Sequence, residues 1–212
     1  MRFNLKSRVV ILSITSAALL AVAVQAGARA SDDKPFQTAA ASAYAHQQSE
    51  EVTVGAKVYT SEDLVTSAFG KKIDFAHYRV VPVLVVVENK RKQALDLRAL
   101  EASLVASDGR HAKAVPPEEL PSLAAEGKAP SQTGVKLPVR LPKKNPLNNP
   151  QIVTRAFSAK MLAPGDSASG FLYFEAQPEA GDKLYLNGLR DARSGQELLY
   201  FEFPLDASNS AQ

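Results

Sequence analysis

Chemistry in this sequence would have to come from three histidines, two adjacent glutamates, a Gly-Asp-Ser triplet, a basic proline-rich stretch and a set of tyrosines. His46, His77 and His111 are the only imidazoles, and there is no cysteine. No two histidines lie at the short spacing that sets a pair of ligands on one helix face or strand, and thiolate chemistry is absent, so the sequence predicts no metal site and no cofactor. His77 and His111 are expected in exposed loops, the latter beside an Asp-Gly turn. Glu118 and Glu119 are neighbours, and neighbouring carboxylates point apart, whereas a glycosidase pair must face each other across about 5 to 10 Å. They read instead as the acidic first turn of a helix. Gly165-Asp166-Ser167 would offer a serine nucleophile, but it follows Pro164 in a turn that opens a strand. Ser167, Ser169 and Gly170 also miss the Gly-x-Ser-x-Gly spacing of a nucleophile elbow. No catalytic residue is therefore assigned.

Two surface features remain as binding candidates. Lys136, Arg140, Lys143 and Lys144 lie in a proline-rich stretch that would present one basic side of an extended, polyproline-like arm to an acidic partner; a solvated loop is the plainer reading. The aromatics Phe157, Phe171, Tyr173, Phe174, Tyr185, Tyr200, Phe201 and Phe203 fall on expected strands and are read mainly as core. Tyr173, Tyr185 and Tyr200 are expected opposite the apolar sets, on an outer face where a sugar ring could stack. The sequence has no tryptophan to strengthen that case.

The elements that must position these residues are mostly strands. Val52, Val54, Ala56 and Val58 alternate with polar or small residues, the two-residue period of a strand with one buried face. Ser61-Glu62-Asp63 opens a short helix that Gly70 stops. Residues 80–87 are apolar on both faces, so something must cover both sides: the long loop or a second copy of the chain. Pro82 places a missing donor at a bulge, an end or an edge. Asp108-Gly109 marks a hairpin between strands near 100–106 and 111–115. Residues 121–150 form a long proline-rich loop. Strands near 152–161, 168–175, 183–188 and 197–205 follow, separated by turn chemistry. Such short strands at regular spacing predict an all-β, immunoglobulin-like antiparallel β-sandwich of about seven to nine strands over residues 52–205. Residues 31–51, rich in Ala, Ser and Gln, are expected to be a flexible spacer, and 206–212 a disordered tail.

The first 30 residues read as a cleavable signal peptide: Arg2, Lys6 and Arg8, then an almost uncharged run over 9–24, then Ala28-Arg29-Ala30. That run is shorter than the ~20 apolar residues a spanning helix needs. The leader holds four of the 25 basic residues and none of the 22 acids, leaving 21 against 22. The basic pI thus belongs partly to the leader, and neither nucleic acid nor an anionic membrane is expected as a partner. Without a cysteine the exported chain is not a lipoprotein, and the expected location is periplasmic or secreted.

Residues 82–90 leading into 97–108, then 163–174, then 200–205 resemble bacterial extracytoplasmic immunoglobulin-like domains of the telokin-like type. The shared features are an apolar strand ending in Glu88-Asn89, a Pro164-Gly165 turn before an aromatic strand, and a closing Tyr200-Phe201-Glu202-Phe203-Pro204. The resemblance implies a fold and a compartment and transfers no catalytic residue. The leading functional expectation is an exported, non-enzymatic binding or assembly module of the bacterial envelope with a protein partner. A carbohydrate-active or hydrolase accessory domain and a structural envelope protein are the alternatives. A homo-oligomer through residues 80–87 is a further expectation.

Overall fold

The central strand β3 (Val80–Asn89) divides the molecule, because its side chains enter two separate cores. Val81, Val83, Val85 and Val87 point into one cluster; Val80, Leu84 and Val86 point into the other. Every one of these residues is buried, and each buried Val or Leu contributes about 1.5–3 kcal/mol. This is the physical meaning of the unbroken apolar run.

The computed structural model describes residues 36–126, 145–177, 179, 181–198 and 200–205. Before β3 come β1 (Ala45–Ser49), β2 (Val52–Val58) and α1 (Glu62–Phe69). After it come β4 (Leu95–Asp96), β5 (Glu101–Val105), β6 (His111–Val115), α2 (Leu120–Glu126) and α3 (Pro150–Thr154). The chain ends with β7 (Met161–Leu162), β8 (Ser167–Glu175), β9 (Lys183–Asn187), β10 (Arg190–Asp191) and β11 (Phe201–Pro204). All ladders between these strands are antiparallel.

Eight strands form one continuous sheet in the order β1-β2-β3-β8-β6-β5-β9-β11. It bends at β6, whose residues 111–113 pair with β5 while Ala114 and Val115 pair with β8. The bend brings the outermost strands together: Glu202 on β11 donates its backbone N–H to Gln47 Oε1 on β1 at 2.9 Å. The architecture is all-β and antiparallel, as the sequence predicts. Its ladder is a single, nearly closed, barrel-like sheet where the sequence predicts two stacked sheets. The interior is filled by Val54, Val85, Phe174, Leu184, Phe201 and Phe203 among others. A small sheet, β10-β4-β7, adds Leu95 and Leu162 to that core.

The outer face of β2, β3 and β8 is covered by a second layer drawn from the chain itself. In α1, Ser61 caps the N-terminus by accepting from the Leu64 N–H, Gly70 ends the helix in the left-handed region, and Val65, Ala68 and Phe69 face inward. Phe75, Leu120, Leu147 and Ile152 complete the cover, so Leu84 and Val86 need no second copy to bury them. The expected oligomer through residues 80–87 loses its motive, since that strand presents no free apolar face.

Three expectations about elements are corrected. Part of the expected spacer is structured: Ala45–Ser49 is a strand paired with β2, and the one-turn 3-10 helix Ala41–Ala43 lies on Gly55. A side chain at Gly55 would strike the Ala41 backbone, which is why glycine stands there. Phe36 packs its ring against Tyr59 and Phe171. The strand expected from 152 is instead α3, whose N-cap Asn149 accepts from the Gln151 N–H and whose first residue is Pro150. The long loop begins as α2, and Asn145 donates its side-chain amide to the Pro121 carbonyl; residues 127–144 lie outside the described residues. Pro82 sits within a central strand, but at the point where β2 ends. Its carbonyl accepts from the Tyr59 N–H, and the reciprocal bond it cannot donate is where that ladder stops.

Candidate functional site

Among the described residues, no helix covers the sheet face over β6, β5 and β9. Alternation directs Glu101, Ser103 and Val105 of β5, His111 and Lys113 of β6, and Tyr185 and Asn187 of β9 to one side. The register sets Ser103 between Lys113 and Tyr185, Val105 opposite His111, and Glu101 opposite Asn187. β5 and β6 stay paired only as far as Ser103 and Lys113; beyond that β6 turns away to join β8. The strands therefore part, and a groove of about 900 Å³ opens, lined by these residues with Leu100, Ala102, Ala114 and Tyr200.

One wall of the groove is aromatic. Tyr185 and Tyr200 have ring centroids 6.2 Å apart and planes tilted by 30°, and Tyr200 is 57% exposed. Glu202 lies directly across from Tyr185 on β11. Lys183 Nζ is 2.7 Å from the same carboxylate. These contacts act on the titrations: the Lys183 ammonium first, with the Tyr185 hydroxyl, draws the Glu202 carboxyl below its ordinary range. Partial burial first, then the Glu202 carboxylate, raises the Tyr185 hydroxyl. Lys183 in turn is raised by Glu202.

The other sequence candidates are scattered. Lys136, Arg140, Lys143 and Lys144 lie outside the described residues. Gly165-Asp166-Ser167 is the turn into β8: Gly165 takes φ +81°, its N–H donates to the Asn89 carbonyl at 2.8 Å, and Ser167 pairs with Glu88. His46 lies on β1 with Nδ1 3.0 Å from the Tyr44 carbonyl, and His77 sets its ring edge-on to Tyr78. His111 opens β6 as a strand residue and lines the groove, where the sequence places it in a loop. Glu118 and Glu119 are exposed in the turn before α2. Among the described residues, no group of three His, Asp or Glu side chains gathers to hold a metal.

Tyr173 is the clearest misplacement. It is buried under the helical layer and its hydroxyl donates to the Ile152 carbonyl at 2.9 Å, while burial pushes its ionisation up. The two-residue period misleads here because β8, like β3, is buried on both faces: Phe171 and Tyr173 face the helices, and Phe174 faces the barrel. The groove itself is invisible in sequence, since its residues come from three strands and its opening comes from β6 changing partners.

The fold and the groove define an antiparallel, all-β protein in which, among the described residues, one sheet face is covered by helices and one is not. No protein-family model matches the chain, and no curated protein matches it. Among solved structures, the chain is similar to a Bacillus subtilis protein described as a "putative lipoprotein", at 14% identity and a TM-score of 0.40. The match covers 76% of this chain and 38% of that one. It is also similar to a structural-genomics target, SoR45, at 9% identity and a TM-score of 0.33, over 76% of this chain and 92% of the other. Among the described residues, no helix is long and apolar enough to cross a membrane.

Proposed function

We propose that this chain is an exported, non-enzymatic binding module of the bacterial envelope, and that the groove over β6, β5 and β9 is its binding surface. One observation carries the reading: a helical layer covers the outer face of β2, β3 and β8, while the β6-β5-β9 face keeps a groove of about 900 Å³ with an exposed tyrosine. A concave surface with an aromatic wall and a few convergent polar groups is the usual form of a recognition site. The leader-like first 30 residues support export, and the segments that resemble extracytoplasmic immunoglobulin-like domains support an immunoglobulin-related scaffold. The dispersal of Ser167, Glu118, Glu119 and two of the three histidines over separate elements supports binding rather than catalysis.

The test is co-sedimentation of the purified chain with cell-envelope fractions, comparing wild type with Tyr200→Ala and Lys113→Glu. Retention of the wild type and loss of both variants, each with an unchanged melting temperature, is the expected result. Equal retention of all three would refute the groove as the binding surface.

A further inference from the structure

We propose that the groove binds a neutral oligosaccharide, whose sugar rings stack on Tyr185 and Tyr200; the inference rests on the reading of this groove as the binding surface. Three features select that ligand. First, β9 is paired on both sides over residues 183–186, by β5 and by β11, and the edge that β6 leaves open on β5 spans only Glu101 and Ala102, too short for a peptide to join as a strand. Recognition must come from side chains. Second, the charges lining the groove balance: the carboxylate of Glu101 opposes the ammonium of Lys113. A phosphate-rich or sulfated polymer would meet as much repulsion as attraction, whereas an uncharged ligand meets neither. Third, the polar groups fit hydroxyls. Ser103 and Asn187 each donate and accept, as each sugar hydroxyl does, while Glu101 only accepts and Lys113 only donates.

The aromatic wall supplies the apolar half of the contact. The C–H face of a pyranose is apolar and flat enough to lie on a tyrosine ring, and such a ring is an amphipathic surface with little conformational freedom to lose. Tyr185 stands on a strand paired on both sides, directly across from Glu202, whose carboxylate holds Lys183 at 2.7 Å. Tyr200 stands beside it, exposed, and extends the platform to a second ring. A site with two adjacent aromatics binds a chain of sugars better than a single sugar, because each ring adds its own contact area.

The experiment is an NMR titration of the purified chain with three neutral hexasaccharides, cellohexaose, chitohexaose and maltohexaose, and with heparin as a polyanionic probe. At least one neutral hexasaccharide is expected to shift the backbone amides of Ser103, Lys113, Tyr185 and Asn187, and heparin to shift none of them. Tyr200→Ala should weaken that binding about tenfold without altering the free spectrum elsewhere. Tyr185→Phe, which keeps the ring, should stay closer to wild type. Absence of groove shifts at millimolar neutral sugar, or undiminished binding by Tyr200→Ala, overturns the proposal. If no neutral sugar binds but envelope retention is still lost in Tyr200→Ala, the sugar fails and the groove stands. If both tests are negative, both readings fail.

Discussion

Replacing Asn89 should cost more stability than replacing any other polar residue of comparable size, and the charge of the replacement should set the pH at which the cost appears. Asn89 ends β3 and is 1% exposed. Its Nδ2 group donates to the carbonyls of Gln93 at 2.9 Å, Leu162 at 3.1 Å and Ala163 at 3.1 Å, and its Oδ1 accepts from the Arg91 N–H at 3.1 Å. One side chain thereby ties β3 to the following turn, to β7 and to the turn that leads into β8. Two N–H groups share three acceptors, so the set is worth about three net hydrogen bonds, or about 3 kcal/mol at ~1 kcal/mol each. Asn89→Ala should lose about that much in urea unfolding followed by circular dichroism. Asn89→Asp has nearly the same shape but, when ionised, turns a carboxylate toward three carbonyl oxygens. Its pKa must therefore rise above the unfolded value of about 3.9. A raised acid pKa means that the variant is least impaired below about pH 3.9 and becomes steadily worse, relative to wild type, as pH rises toward the folded pKa. The reasoning is refuted if Asn89→Ala costs under about 0.5 kcal/mol, or if the deficit of Asn89→Asp is the same at pH 4 and pH 8.

Three further outcomes are expected. Asp191 accepts from the N–H groups of Arg193 and Ser194 and from the Ser194 hydroxyl, and it pairs with Arg91 at 3.0 Å. The Ser194 N–H is the largest cause that holds its carboxyl below the ordinary range. Its contribution is present above the unfolded pKa of about 3.9 and lost as pH falls through the folded one, so Asp191→Asn should flatten the acid limb of a stability–pH curve measured by thermal melts. Glu50 and Glu51 join β1 to β2 with φ of +45° and +62°, values that suit Asn or Gly. Glu51→Asn should add about 0.5–1 kcal/mol and raise the melting temperature; a fall would show that the Glu51 side chain contributes something the backbone does not reveal. Tyr173→Phe removes the donor to the buried Ile152 carbonyl and should cost about 1–2 kcal/mol by urea titration, with α3 the first segment to gain hydrogen exchange.

What the sequence reveals and what it hides follow from where each element's energy comes from. Turns are legible because their chemistry is local: Asp108-Gly109, Pro164-Gly165 and the Ser61 and Gly70 helix ends all fall where residue type alone places them. The two-sided burial of β3 is legible for the same reason, since no other environment suits eight consecutive residues without a charge or hydroxyl. β1 is hidden because His46, Gln47 and Gln48 carry no apolar period; the strand exists through its ladder with β2 and not through its own side chains. α3 is hidden by Ile152 and Val153, which favour strands, although the Asn149-Pro150 pair is a helix start that a reading weighted toward caps would accept. The tyrosines show the limit of parity: the same alternation that correctly turns Tyr185 outward wrongly turns Tyr173 outward, because among the described residues β9 keeps an uncovered face and β8 does not.

That difference between β8 and β9 connects the fold to the proposed function. A curled sheet has an outer face longer than the available cover, and here the cover of β2, β3 and β8 comes from residues 36–44 and α1, which flank β1 and β2, from α2, which follows β6, and from α3, which precedes β7 and β8. Among the described residues, the turn at 106–110 between β5 and β6 and the turn beyond Asn187 after β9 are short and lay no chain over these strands. An uncovered apolar face would be a liability, and this one is not apolar: it carries Glu101, Ser103, Lys113 and Asn187 between its tyrosines. The face is thus polar as well as concave, because β6 must leave β5 in order to close the sheet against β8. The groove is a by-product of closure, and its side chains are what the proposed recognition would use.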